Sequence, residues 1–313
     1  MKGLELAERF YLEYGLPMIK EQFSNVEKYL AIGLIGSGSE CFGYDDEIST
    51  DHDFEPGFCI FIPNEEIVDR RTEFLLERAY AKLPKEFMGY KRSTLNPVGG
   101  NRHGVIIIND FLKQKTGDSV ANLSVFDWIQ VPEQSLLEVI NGKIFVDNLG
   151  VLTEIREKLS YMPRDVKLKK LAGNLLRMCQ GGQYNYPRCI SRKETASAQL
   201  ALFEFVSSAI HVIFLLNGKY MPYYKWSFKA LRELDILSNL SNDLEYLISS
   251  ENSDTVSVKK QNIVENICLN IIEELKRQSL SSSISTTLEA HAYSVNDKIV
   301  SNEIRNLHIL SAI

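Results

Sequence analysis

Ala31-Ile32-Gly33-Leu34-Ile35-Gly36-Ser37-Gly38-Ser39 opens the most informative stretch of this chain, and Ser49-Thr50-Asp51-His52-Asp53 closes it. The first five residues form a short apolar run, which predicts a strand. The run delivers the chain into Gly36-Ser37-Gly38-Ser39, a loop sequence, because glycine tolerates positive φ and serine bonds to nearby backbone. Asp51 and Asp53 follow, one residue apart. On an extended segment, side chains at i and i+2 share a face. Two carboxylates so placed suit one hard cation, or bridge two. His52 should point to the opposite face and is read as structural.

Taken singly, a Gly-Ser loop or an Asp-x-Asp pair is most often a turn. In this order they are the parts that phosphoryl and nucleotidyl transfer need. Small residues let backbone N–H groups and a serine hydroxyl approach crowded phosphate oxygens. Metal ions neutralise the reacting phosphate and the leaving pyrophosphate. No Gly-Lys-Ser/Thr follows, so the loop is not a P-loop. Asp45-Asp46-Glu47, between loop and pair, reads as a solvated turn.

Either side of this stretch the periodicity sorts the chain. Leu6, Phe10, Leu12, Ile19, Phe23, Val26 and Leu30 recur at helical spacing, and Pro17 should break or kink the pattern, which reads as two helices. Residues 54–62 predict a second strand, ended by Pro63. Residues 65–83 predict a helix with Phe74, Leu75, Leu76 and Tyr80 among its apolar positions. Residues 104–108 read as a buried strand, and Asp110 as the start of another helix. Beyond Leu149 strand signals fade. Helices are predicted over 165–180, 194–217, 226–249, 256–278 and 283–313. The expected class is α+β: a domain with an α/β-type mixed sheet over residues 1–150, followed by an all-α helical domain over 151–313.

The segment resembles the signature of the polymerase-β-like nucleotidyltransferase superfamily, a Gly-Ser followed about a dozen residues later by Asp-x-Asp. More narrowly, Gly38-Ser39 to Gly43 and Ser49 to Asp53 resemble a bacterial family of nucleotidyltransferase-like proteins. The likeness continues through Asp127-Trp128, Phe145-Val146-Asp147, the region of Tyr184 to Arg188, and Tyr220-Met221-Pro222-Tyr223-Tyr224-Lys225-Trp226. It covers roughly residues 30 to 235. The wider group includes aminoglycoside and lincosamide nucleotidyltransferases, which have a helical second domain. The resemblance implies that Gly38 and Ser39 meet phosphate and that Asp51 and Asp53 hold Mg2+ and are catalytic. There is one departure. The superfamily supplies a third carboxylate from a later strand, whereas residues 105–108 are Val-Ile-Ile-Ile; His103 precedes them and Asp110 follows. Without such an acid, the base that activates the acceptor must come from elsewhere, or the enzyme is weak or inactive.

Two segments of the second half are candidates for the nucleotide. In Gln183 to Glu194, a predicted loop, Arg188 and Arg192 offer forks that fit phosphate oxygens, and tyrosines can stack on a base. Glu194 is a candidate general base or, equally, a capping acid after Ser191. In Tyr220 to Trp226, Lys225 can reach a triphosphate with Tyr224 beside it, or simply snorkel from a hydrophobic corner. Charge is uneven along the chain. Residues 1–66 hold 14 acids and 4 bases, a sum of −10; residues 151–193 hold 10 bases and 3 acids, a sum of +7. Both are read first as solvated faces, and otherwise as two walls of a cleft for a metal-bound triphosphate.

The five cysteines form no CxxC pair, which argues against a disulfide framework or a zinc site, and most of them read as buried thiols. No signal peptide is recognised at Met1-Lys2-Gly3, and the most apolar window, 210–216, is short for a membrane span of about 20 residues. The expected location is cytoplasmic, with no membrane partner. The acidic chain, with no extended basic face, argues against long nucleic acids. The expected activity is magnesium-dependent transfer of a nucleoside monophosphate, AMP from ATP or from another nucleoside triphosphate, to a hydroxyl of a small molecule ahead of a protein. The alternatives are a protein or RNA-end nucleotidyltransferase, or a catalytically weak nucleotide sensor or antitoxin-like binding protein with the same fold.

Overall fold

The computed structural model describes residues 1–48, 54–92 and 102–313. In chain order its elements begin with α1 (Gly3–Phe10) and α2 (Leu16–Gln22), joined by a π-helical segment, Tyr11–Gly15. Pro17 does not break this region. It lies in the first turn of α2, where its missing N–H costs nothing, and the wider π-helical turn absorbs the misfit. Then come β1 (Ala31–Leu34), α3 (Ser39–Phe42), β2 (Cys59–Ile62), α4 (Arg70–Ala81), a small hairpin of β3 (Glu86–Phe87) and β4 (Tyr90–Lys91), β5 (Gly104–Ile107), α5 (Ile108–Thr116), α6 (Val125–Gln130), α7 (Glu133–Ile140), β6 (Lys143–Asp147) and α8 (Val151–Leu159).

The chain is mixed α+β and forms two compact units. The first comprises residues 1–123 and 131–161; the second, residues 124–130 and 162–313. The first is built on a four-stranded mixed sheet in the order β5-β2-β1-β6. β1 runs antiparallel to both neighbours, and β2 pairs parallel with β5. α1, α2 and α4 cover one face through Leu6, Phe10, Ile19, Leu76 and Tyr80, packed on Ile32, Phe58, Ile60 and Ile62. Gly33 lets β6 close on β1: a Cβ there would stand 2.6 Å from the Lys143 carbonyl oxygen.

Two sequence expectations shift here. The 104–108 run is an edge strand, with Val105 to Ile107 half-buried, and Ile108 already belongs to α5. On α4 only Leu76, Ala79 and Tyr80 are buried, while Phe74 and Leu75 face outward, as a period of 3.6 requires.

The second unit holds α6 with α9 (Arg164–Met178), a π-helical segment Cys179–Asn185, α10 (Tyr186–Ser191), α11 (Thr195–Leu216), α12 (Tyr224–Leu231), α13 (Ser241–Ser249), α14 (Asp254–Arg277), α15 (Leu288–Asn296) and α16 (Asn302–Asn306). Among the described residues this unit holds no strand. Residues 226–249 and 283–313 each form two short helices where one was expected. α11 is its central helix. It has 22 residues and a mean hydropathy of 1.8 over its most apolar stretch, so the apolar segment is longer than 210–216 alone suggested. By length and composition it passes for a membrane span, but 61% of that stretch is buried inside the protein. Gly181 and Gly182 allow close contact with it: Cβ atoms there would lie 2.8 Å from the Ala201 carbonyl oxygen and 2.3 Å from the Phe205 ring.

Several cations expected at the surface are spent inside. Lys169 Nζ donates to Asn296 Oδ1 and to the Arg305 and Leu307 carbonyls at 2.9, 3.2 and 2.6 Å. Lys170 Nζ donates to the Ile129 carbonyl at 3.1 Å. Lys260 Nζ donates to the Ser250 carbonyl, Asn252 Oδ1 and Gln199 Oε1 at 2.8, 3.0 and 3.2 Å. All three lysines are buried. Burial pushes the Lys169 and Lys260 ammonium pKa values down, and neutral acceptors stand in for lost water.

Candidate functional site

The Gly-Ser loop leaves the C-terminal end of β1 and is shaped by two glycines. Gly36 and Gly38 have φ of +114° and +121°, conformations that other residues rarely adopt. Asn141, just past α7, holds Gly36 at both polar groups: its Oδ1 accepts the Gly36 N–H at 2.9 Å and its Nδ2 donates to the Gly36 carbonyl at 2.7 Å. Arg156 on α8 fixes Asn141 in turn. Its guanidinium donates to the Ile140 and Asn141 carbonyls, each at 2.7 Å, and so caps the C-terminus of α7. The Gly142 N–H donates to the Cys41 carbonyl at 2.9 Å, closing the far side of the loop.

Ser39 opens α3, and its neighbour Glu40 is buried in an ion pair with Arg102. Arg102 Nη2 also donates to the Ser37 carbonyl at 3.0 Å. A Cβ on Gly38 would stand 1.7 Å from that nitrogen, so the pair lies directly against the loop. A cavity of about 250 Å³ adjoins it, lined among others by Gly36, Ser37, Glu73, Arg102, Val105 and Asp110. Asp110 is the third residue of α5 and exposed, a helix start as expected. Burial, then the neighbouring Glu77 and Glu65, push the Glu73 carboxyl pKa up; Asp110 adds to this.

Asp51, His52 and Asp53 lie outside the described residues. Two residues beyond Asp53, Glu55 Oε1 is 3.1 Å from His103 Nδ1. Both side chains are largely enclosed, 20% and 10% exposed. Gly57 makes room for the ring, since a Cβ there would stand 2.7 Å from His103 Cγ. Sequence reasoning passed over this pair. Its signal was the acid at 55 continuing the alternation of 51 and 53, with the histidine placed just before β5.

Asp45 corrects another expectation. It is buried, not solvated: its Oδ2 accepts the Gly3 N–H at 2.8 Å, and Lys2 Nζ is 3.4 Å from Oδ1. A carboxylate there satisfies a free donor and favours the positive end of the α1 dipole.

In the second unit, Arg188 and its surroundings are helical, not a loop. Pro187 sits in the first turn of α10, where proline is tolerated. Arg188 lies over the Tyr184 ring, 4.5 Å from its centroid, and both are exposed. Tyr186 is enclosed and donates to Asn252 Oδ1 at 3.2 Å, so it is unable to stack on a ligand. Arg192 follows α10. Glu194 precedes α11 and makes no side-chain cap bond, while Ser191 Oγ turns back to the Arg188 carbonyl at 2.9 Å. Tyr224 opens α12, its ring 4.3 Å from that of Tyr223. The exposed Lys225 ammonium lies 5.1 Å from the Trp226 ring centroid.

Among the described residues no group of three histidines, cysteines, aspartates or glutamates is placed to hold a metal ion. Cys41, Cys59 and Cys268 are buried. Burial pushes the Cys59 thiol up to about 12 and the other two well above the usual thiol range, so all three stay protonated.

Residues 128–227 match a family model described as a domain of unknown function, DUF4037. The matched stretch contains Asn141, Arg156, the π-helical segment, α10, α11 and Lys225. Comparison with curated proteins finds no match.

Proposed function

We propose that this protein transfers a nucleoside monophosphate, AMP from ATP, to a hydroxyl of a small molecule and releases pyrophosphate. The observation that carries this reading is the Gly36-Ser37-Gly38-Ser39 turn at the end of β1. Gly36 has open space where a side chain would stand, beside a cavity, Asn141 holds the turn rigid, and an Asp-x-Asp pair follows in sequence. The backbone of a rigid small-residue loop suits phosphate oxygens; the Gly36 N–H is taken by Asn141, which leaves Ser37 to Ser39 for that role. The donor chemistry fits Mg2+, a hard cation that prefers carboxylate oxygen, and Asp51 and Asp53 would hold it. When bound, it supplies charge neutralisation for the phosphate. Gly38 and Ser39 orient the phosphates. Lys225, Arg188 and Arg192 are the cationic candidates that the sequence offers for the nucleotide, Tyr224 the aromatic one, and Glu194 a further carboxylate.

A second reading, a nucleotide sensor or antitoxin-like binding protein, is favoured by one observation: β5 carries no acid. A cytoplasmic location belongs to the same proposal. The test is incubation with magnesium and ATP labelled at the α-phosphate, with the low-molecular-mass fraction of a cell extract as acceptor pool. Labelled conjugates and pyrophosphate support transfer. Tight magnesium–ATP binding with neither product supports the sensor, and no binding defeats both readings.

A further inference from the structure

We infer that Arg102 is the cation that receives the phosphates at the Gly-Ser turn, and that Glu40 keeps it in place until they arrive; this rests on reading the turn as a phosphate loop. The turn carries a charge that opposes such a ligand. Glu40, the residue after Ser39, brings its carboxylate back over the loop: a Cβ on Gly38 would stand 2.5 and 2.7 Å from its two oxygens. That carboxylate is buried, where water screens it little. A phosphate approaching Gly38 and Ser39 therefore meets an acid unless a cation neutralises it.

Arg102 is placed to do so. Its Nη2 forms the ion pair with Glu40 and donates to the Ser37 carbonyl at 3.0 Å. The same nitrogen lies against Gly38, so a side chain at that position would collide with it. Arg102 also lines the cavity of about 250 Å³ together with Gly36 and Ser37, and thus borders both the loop and the space beside it. Residues 1–66 are strongly acidic, which turns attention to the second half of the chain for cations, yet this one belongs to the first unit.

Phosphate and carboxylate offer a guanidinium fork the same kind of paired oxygens. The phosphates of a nucleoside triphosphate bring more oxygens and more charge than one side-chain carboxylate, so they draw the fork from Glu40 toward themselves. Before binding, Glu40 keeps the guanidinium ordered at the loop, which lowers the entropy cost of the later contact. It also sets a threshold, because a weakly charged anion fails to displace it. The two residues consequently act with opposite signs. Loss of the Glu40 charge removes a competitor and should tighten binding, whereas loss of the Arg102 charge leaves an acid facing the phosphates and should weaken it. An ion pair that served the fold alone would weaken binding from either side.

The experiment is calorimetric titration with magnesium–ATP and with magnesium tripolyphosphate, at fixed ionic strength and well below each melting temperature. It compares the wild type, Glu40→Gln, Arg102→Gln, Arg102→Lys and the double variant Glu40→Gln/Arg102→Gln. Glu40→Gln is expected to bind both ligands about threefold more tightly or better, since a like charge is gone, although it melts lower. Arg102→Gln should bind both roughly ten- to a hundredfold more weakly, the loss of one charge-assisted contact. Arg102→Lys, which keeps the charge but not the fork, should fall between. Arg102→Gln strands a buried carboxylate and can fail to fold; the double variant leaves neither charge at the turn and keeps the test in force, with affinity below wild type. A Glu40→Gln protein that binds more weakly than wild type overturns the inference. So does a double variant within about threefold of wild type, or a loss seen with ATP but not with tripolyphosphate, which would put Arg102 at the nucleoside. All three leave the phosphate loop standing. A wild type that binds neither ligand overturns the loop reading itself, and the role of Arg102 with it.

Discussion

Asn141 grips Gly36 at both polar groups, accepting its N–H at 2.9 Å and donating to its carbonyl at 2.7 Å, across 105 residues of sequence. A primary amide carries a donor and an acceptor side by side and so does both at once. Asn141→Asp keeps the acceptor but places a carboxylate oxygen against the Gly36 carbonyl; Asn141→Ala loses both bonds. Each net hydrogen bond is worth about 0.5–1.5 kcal/mol. Asn141→Ala should therefore cost about 1–3 kcal/mol in urea unfolding, and Asn141→Asp at least as much. In both variants magnesium–ATP affinity should fall further than stability alone explains. Unchanged affinity would detach the clamp from the site.

Gly38→Ala tests the loop from inside. A Cβ at φ +121° is strained, and it would overlap the Arg102 guanidinium. The ends of the Arg102 and Glu40 side chains must then shift, and the strained φ adds about 1–3 kcal/mol, so the variant should melt below wild type. Glu40→Gln, which removes the pair's charge but leaves Gly38 intact, should lose part of that stability. A Gly38→Ala protein as stable as wild type would mean that Arg102 does not press on the loop.

Asp51→Asn should abolish pyrophosphate release while leaving the melting temperature in place, since an amide neutralises the carboxylate without changing its size. Retained turnover would remove the acidic pair from the mechanism.

Lys225→Ala should weaken magnesium–ATP binding roughly ten- to a hundredfold, the equivalent of about 1.5–3 kcal/mol for one charge-assisted hydrogen bond. The side chain is exposed over Trp226, so stability should barely move. If calorimetry shows unchanged affinity and only the melting temperature drops, the lysine is a packing residue on the indole.

Acid should destabilise the second unit through Glu274. Its carboxylate takes two bonds from Arg277, both at 2.7 Å, and one from Gln278 at 2.6 Å, while Gln278 also donates to the Leu216 carbonyl at the end of α11. The hydrogen bonds from Arg277 chiefly, with that from Gln278, hold the carboxyl pKa below its ordinary value. A depressed folded-state pKa gives stability that is fully present above the unfolded value, about 4.3, and lost as pH falls through the folded one. Glu274→Gln should flatten that part of the stability profile between about pH 5 and 3. An unchanged acid limb would assign it to other carboxylates.

The central strand, the glycine turn and the run of helices beyond residue 150 were legible because their signals are local: an apolar run, small residues, a period of 3.6. What escaped was short or set by distant partners. β3 and β4 have two residues each, too few for any alternation to register. α10 read as a loop because Gly181, Gly182 and Pro187 look like breakers. The glycines instead serve close packing, and the proline falls at a helix start, where it does no harm. Asp45 looked solvated because nothing nearby in sequence announces the Gly3 N–H that it meets. The site was legible only as its first half. Asn141, Arg156 and Arg102 join it through folding, and a lone asparagine 105 residues downstream carries no motif.

The buried cations change how this protein should respond to ionic strength. A sum of +7 over 151–193 suggests a surface that draws polyanions from a distance and releases them as salt rises. Yet Lys169, Lys170 and Arg156 point their charges at backbone carbonyls within the protein. Charges committed in this way cannot make the short contact with phosphate that releases a counterion, although their field persists. The salt dependence of nucleotide binding should accordingly reflect the surface cations alone and be shallower than a sum of +7 implies.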